Sequence, residues 1–223
     1  MVLQQALSLY EFSHQQLALC DQQIQRHLAT FVDKSAGQPL PPKARRSKKT
    51  NEPRFDARTP LYRMAGVDLT TIEGIEEGTA LVILSEIGTD MHRWPSVKHF
   101  CSWLGLCPQH QISGGKVLSR RVRPGAHRVT VALRLAARSL HHSQSALGAF
   151  FRRMKGRLGT PKAITATAHK LARLVYSLLQ HGSAYVQQGV DAYEAQYRER
   201  KVSAMTRQAK AVGSTLVPLV SQG

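Results

Sequence analysis

The strongest chemical signal in the chain is a serine followed by two glycines and a run of cations. Ser113 precedes Gly114 and Gly115, and Lys116, Arg120, Arg121, Arg123 and Arg128 come soon after. A hydroxyl on a tightly turned backbone with no bulky residue after it leaves room for a phosphodiester to approach. Guanidinium and ammonium groups beside it would bind the equatorial oxygens of a pentavalent transition state. Ser-Gly-Gly is also an ordinary turn sequence, so residue types alone leave both readings open. Arg134 and Arg138 sit four apart and extend the cationic set. Cys101 and Cys107 flank Trp103 and Leu104 and read as buried hydrophobes rather than a redox pair. The acidic cluster of Glu73, Glu76, Glu77, Glu86 and Asp90 does not read as a metal site, because helix starts favour acids anyway. His141-His142 reads as helix surface.

These groups must be positioned by a chain of 223 residues with a formal net charge of +17. Apolar residues make up 42%, enough for a core. No apolar run is long enough to span a membrane, and the first residues lack the basic start of a secretion signal. Three cysteines are too few for a disulfide framework. A cytoplasmic chain with a polyanionic partner is the expectation. The charge is uneven. Residues 101–182 hold fourteen Lys and Arg and no Asp or Glu. Such a segment cannot neutralise its own arginines, and a phosphate backbone is the usual external partner.

The expected architecture is mainly α. Leu3, Leu7, Tyr10, Leu17, Ile24, Leu28 and Phe31, with His14 and Asp21 in polar slots, keep alternating steps of three and four. That seam predicts a coiled-coil helix over 1–33 which pairs through residues 1–32 to make a homo-oligomer. Residues 34–60, rich in proline and carrying the basic run Lys43–Lys49, are expected to be a linker. Residues 61–182 are expected to form a compact helical domain. Within it, 69–88 is patterned like a helix-hairpin-helix, turned at Ile72, Gly74 and Ile75, with Ala80, Leu81, Leu84 and Ile87 on the buried face. Ser96 is placed to cap a short helix through Phe100 and Trp103 that stops at Gly105. Residues 105–125 read as a Gly-rich loop with short extended pieces. A helix over 126–140 buries Val129, Ala132, Leu133, Ala136 and Leu140. Another starts at Thr160-Pro161, buries Ile164, Ala168, Leu171, Val175 and Leu178, and ends at Gly182. Residues 183–223 are expected to be a C-terminal helix and tail.

The stretches EPRFDARTPLYRMAGVDLT, IEGIEEGTALVILSEIG, KHFCSWLGLCP, ISGGKVLSR and TPKAITATAHKLARLVY, in this order, resemble the C-terminal part of one bacterial transposase family. This is the Piv-like group of insertion-sequence 110/116/902 transposases, the bridge-RNA-guided recombinases. The family joins a RuvC-like domain with acidic metal ligands, through a coiled coil, to a transposase domain with an active serine. The resemblance implies DNA transposition through a covalent phosphoserine and puts the family's serine at Ser113. From charge and placement, the nucleic-acid contacts are expected at Lys116, Arg120, Arg121, Arg123, Arg128, Arg134 and Arg138. The partners expected are DNA, a guide RNA and an acidic RuvC-like domain in cis or trans. Mg²⁺ is expected only with that domain, since these residues supply no clustered carboxylates of their own. The chain by itself is therefore expected to be inactive, as a truncated transposase, a remnant or a separately expressed domain. The run Arg123-Pro-Gly-Ala-His127 departs from the Lys-x-Gly-Asn-like run of many relatives. The alternative from another class is a non-catalytic protein that binds RNA or DNA.

Overall fold

The computed structural model describes residues 1–42, 53–108, 111–119, 122, 127–211 and 213–215. The expectations for Lys43–Lys49, Arg120, Arg121 and Arg123 lie outside these residues. The chain is mainly helical, as its periodicity predicts. The helices are α1 (Val2–Leu28), α2 (Arg58–Ala65), α3 (Glu77–Ile87), α4 (Val97–Trp103), α5 (Arg128–Ser139), α6 (Ala146–Leu158) and α7 (Thr160–Ala211). Strands β1 (Gln111–Ser113) and β2 (Lys116–Ser119) form one antiparallel hairpin between α4 and α5.

The core is built on the first part of α7, which packs against α4, α5 and α6, while α3 closes over α5. Ala168, Leu171, Val175 and Leu178 of α7 meet Val129, Leu133 and Ala136 of α5 and Phe100 of α4, all buried in one cluster. Burial of each such Leu or Phe contributes roughly 1.5–3 kcal/mol. Gly182 breaks α7 with φ 82° and ψ 177°, at the position where its apolar face was expected to end. The backbone continues as a helical arm over residues 183–211.

Helix α6 carries the fold element that periodicity did not reveal. Ser145 caps it, its hydroxyl accepting from the Gly148 amide at 3.2 Å. Glycine is needed at 148 for space. A Cβ there would lie 2.2 Å from the Ser143 carbonyl oxygen and 2.9 Å from that of Leu140.

Several local expectations change. Helix α1 ends at Leu28, so Phe31 lies beyond it and the helix is shorter than 1–33. The linker expected over 34–60 is not all linker. Arg58, Thr59 and Pro60 are the first turn of α2, and proline is tolerated there because first-turn amides have no helical partner. Lys34 donates its amide to the Arg63 carbonyl at 2.7 Å, so the segment after α1 is tied to α2. In residues 69–88 the turn at Ile72–Ile75 is preceded by a three-residue 3₁₀ turn, Leu69–Thr71, and followed by α3. Ser96 starts α4 without capping it by its side chain; its hydroxyl pairs instead with His99 Nδ1 at 2.9 Å.

A buried ion pair links these pieces. Arg58 holds Asp68 through Nε at 2.9 Å and Nη2 at 2.5 Å, with both side chains largely buried. Asp68 also accepts from the Thr70 amide at 2.9 Å and hydroxyl at 2.7 Å, and Arg58 Nη2 reaches the Pro41 carbonyl at 2.5 Å. The charges are thus fully ligated, as burial requires.

Candidate nucleic-acid interface and serine hairpin

Ser113 ends β1 and pairs across the strand ladder with Lys116, the first residue of β2. The two residues between them, Gly114 and Gly115, have φ of +54° and +73°. Positive φ at both central positions is the requirement of a type I′ turn, whose twist matches paired strands. The Gly-Gly pair therefore makes a two-residue hairpin rather than a slack loop. Ser113, Gly114, Gly115 and Lys116 are all exposed. A further bridge, Pro108 to Val122, continues the antiparallel pairing toward the base. The serine hydroxyl and a lysine ammonium thus share the rim of a projecting hairpin.

The other cations expected to act with Ser113 fall in two groups. Arg120, Arg121 and Arg123 lie outside the described residues. Arg128, Arg134 and Arg138 stand on α5, reached from the hairpin through residues 123–127. Arg128 is 75% exposed at its side chain and pairs with Glu86 of α3 at 3.2 Å. Arg134 is half-buried, and its Nε is buried without a hydrogen-bond partner. Arg138 is exposed.

The sequence reading missed a second basic surface. Arg153, Lys155 and Arg157 of α6 and Lys162 and Arg173 of α7 are exposed. The sequence pattern puts Lys162 and Arg173 on the helix that starts at Thr160-Pro161 but gives no element for Arg153, Lys155 and Arg157. The Ser145 cap followed by Ala146, Leu147, Phe150 and Phe151 was the available signal. Not all the cations of α6 face outward. Arg152 Nη1 donates to the carbonyls of His141, at 3.1 Å, and Ser143, which holds the turn before α6. Lys155 Nζ lies 3.2 Å from His141 Nε2, and Lys155, burial and the neighbouring cations push the His141 pKa below its ordinary value. Burial, with help from Arg173, likewise lowers His169. Both imidazoles are thereby biased toward the neutral form.

Of the two cysteines expected to be buried, Cys107 is only half-buried. Cys101 is buried, and desolvation, with a smaller contribution from Cys107, pushes its thiol up to about 12. A thiol so far above neutrality is a poor nucleophile.

Three of the acidic residues are engaged in other contacts. Glu73 accepts from the Ser143 hydroxyl, Glu86 pairs with Arg128, and Asp90 caps the turn at Met91–Arg93. Among the described residues, no group of three or more His, Cys, Asp or Glu is arranged to hold a metal ion. No described helix is long and apolar enough to cross a membrane.

Residues 67–152, from the turn before α3 to the middle of α6, fit the model described as Transposase IS116/IS110/IS902 family. No curated protein matches the chain. The matched stretch contains α3, α4, the serine hairpin and α5. Residues 67–152 are thus similar to the transposases of this family.

Proposed function

We propose that this chain, with its IS116/IS110/IS902-type transposase part, is a DNA-binding, serine-bearing component of a DNA transposition machine. The observation that carries the proposal is the position of Ser113. It lies inside the family match, exposed at the rim of a tight hairpin, with Lys116 directly across the ladder. The reaction assigned to it is transesterification. Ser113 Oγ attacks phosphorus, and an Oγ–P bond forms as the P–O bond to one deoxyribose breaks. The hydroxyl proton is passed on and the departing sugar oxygen is protonated. The charge of the phosphodiester is conserved in the phosphoserine intermediate. Lys116 and the cations of residues 120–128 stabilise the crowded phosphorus.

Among the described residues no cluster of carboxylates fits Mg²⁺, so no metal step is assigned to them. A RuvC-like acidic domain, in cis or in trans, would supply that chemistry, and a guide RNA the choice of site. The chain alone is then inactive on DNA. Helix α1 would pair with its counterpart in a second copy.

The test is a covalent adduct. The full chain is mixed with the acidic domain of a close relative, its guide RNA and a labelled target DNA, and adducts are mapped by mass spectrometry. The adduct is expected on Ser113, lost in Ser113→Ala and kept in Ser119→Ala. An adduct that survives Ser113→Ala on another residue overturns the assignment.

A further inference from the structure

A ladder of rings rises through the core to the surface beside α5. Arg93 lies over the Trp94 ring at 5.3 Å. Trp94 meets Trp103 with centroids 5.1 Å apart, and Trp103 meets His127 at 4.6 Å with the planes 41° apart. Of the three rings, Trp94 is buried and the outer two are not. Trp94 is 6% exposed, whereas Trp103 is 38% exposed and His127 is exposed as well.

The outer rings are held in place. Trp103 is the last residue of α4, and His127 directly precedes α5. The Thr130 hydroxyl, buried, donates to the buried Leu104 carbonyl at 2.6 Å and locks the end of α4 to the start of α5. Phe100, fully buried, also packs on Trp94 and lies 6.4 Å from Trp103. An indole kept this rigid loses little conformational entropy when a second ring stacks on it. Leaving over a third of a tryptophan in water has a hydrophobic cost unless something covers it.

We infer that Trp103 and His127 form a stacking platform for an unpaired nucleobase. Charge selects this occupant over an apolar protein surface. Both rings belong to the segment 101–182, which holds fourteen Lys and Arg and no carboxylate. A base has a π-face whatever its identity, so the platform is sequence-tolerant and prefers single strands, whose bases are free to stack. This rests on the nucleic-acid role proposed above. It adds that part of the bound strand is unpaired, and where its base sits.

Intrinsic fluorescence tests it, because the chain has two tryptophans and one of them is buried. The full chain is titrated with a single-stranded DNA, the RNA of the same sequence, and the blunt DNA duplex. Either single strand is expected to quench the indole emission, with the duplex leaving it almost unchanged. In Trp103→Phe the quenching should vanish while binding persists, since phenylalanine still stacks. In Trp103→Ala, affinity for the single strands should drop about tenfold, with the duplex affinity and the slope of affinity against salt unchanged. Near-ultraviolet circular dichroism of both variants establishes that the cluster around Trp94 remains packed. Unchanged single-strand binding in a folded Trp103→Ala, or equal quenching by duplex and single strand, overturns the platform. Strong duplex binding without any Trp103 response removes the platform and leaves the transposase reading intact. Binding to none of the three ligands removes both.

Discussion

What sets Ser113 apart is its placement rather than its residue type. A type I′ turn sets its strand end at the hairpin rim, and the cross-strand pair brings Lys116 opposite. The tight turn beside the serine was legible because Gly114 and Gly115 follow Ser113 directly, while the role proposed for the serine rests on the resemblance. The Arg58–Asp68 pair was not legible, because the two residues meet only through the turn between α2 and α3. That pair is the residue-scale test of the fold. Asp68→Ala strands the buried guanidinium and frees the Thr70 amide, and should cost about 3–5 kcal/mol. The measurement is a urea midpoint, which should fall with an unchanged slope. A loss below about 1 kcal/mol would mean that water replaces the carboxylate freely.

At the scale of elements, α1 is the piece whose surroundings do not explain its sequence. Leu3, Leu7, Tyr10 and Leu17 are more than half exposed, and Leu28 is its one buried residue. Its polar slots already have partners. Arg54 lies against His14, and its amide reaches Asp21 at 3.2 Å. Toward its end, Ile24 and Leu28 run into an apolar groove of about 980 Å³, shared with Leu61 and Met64 of α2 and Leu81 and Leu84 of α3. A continuous apolar stripe from helix to groove is what a partner helix would cover. Replacing Leu17 and Ile24 by Asp should convert self-associated chain to monomer in sedimentation velocity, with unchanged helical content. An identical sedimentation coefficient for the variant would place the contact elsewhere. Faces with clean periodicity, as in α5 and α7, were readable from the sequence. Helix α6 was not, because cations and glycines interrupt its apolar positions and its start depends on Ser145 and the close approach at Gly148.

For the whole molecule, the decisive property is the separation of charge. The described carboxylates are concentrated before residue 101, where Asp68 and Glu86 meet arginines, and the core of α4 to α7 carries many exposed cations. Arg152 shows that some of them hold the fold together, but Arg138, Arg153, Arg157, Lys162 and Arg173 remain at the surface. Composition alone revealed this imbalance; only the fold distinguishes the structural cations from the exposed ones. The central claim, that this half of the molecule grips a nucleic-acid backbone, is tested most directly by duplex DNA affinity as a function of salt. With about eight phosphates neutralised, log affinity against log salt should have a slope of roughly −7, identical in Ser113→Ala. A slope shallower than about −2 would contradict the account.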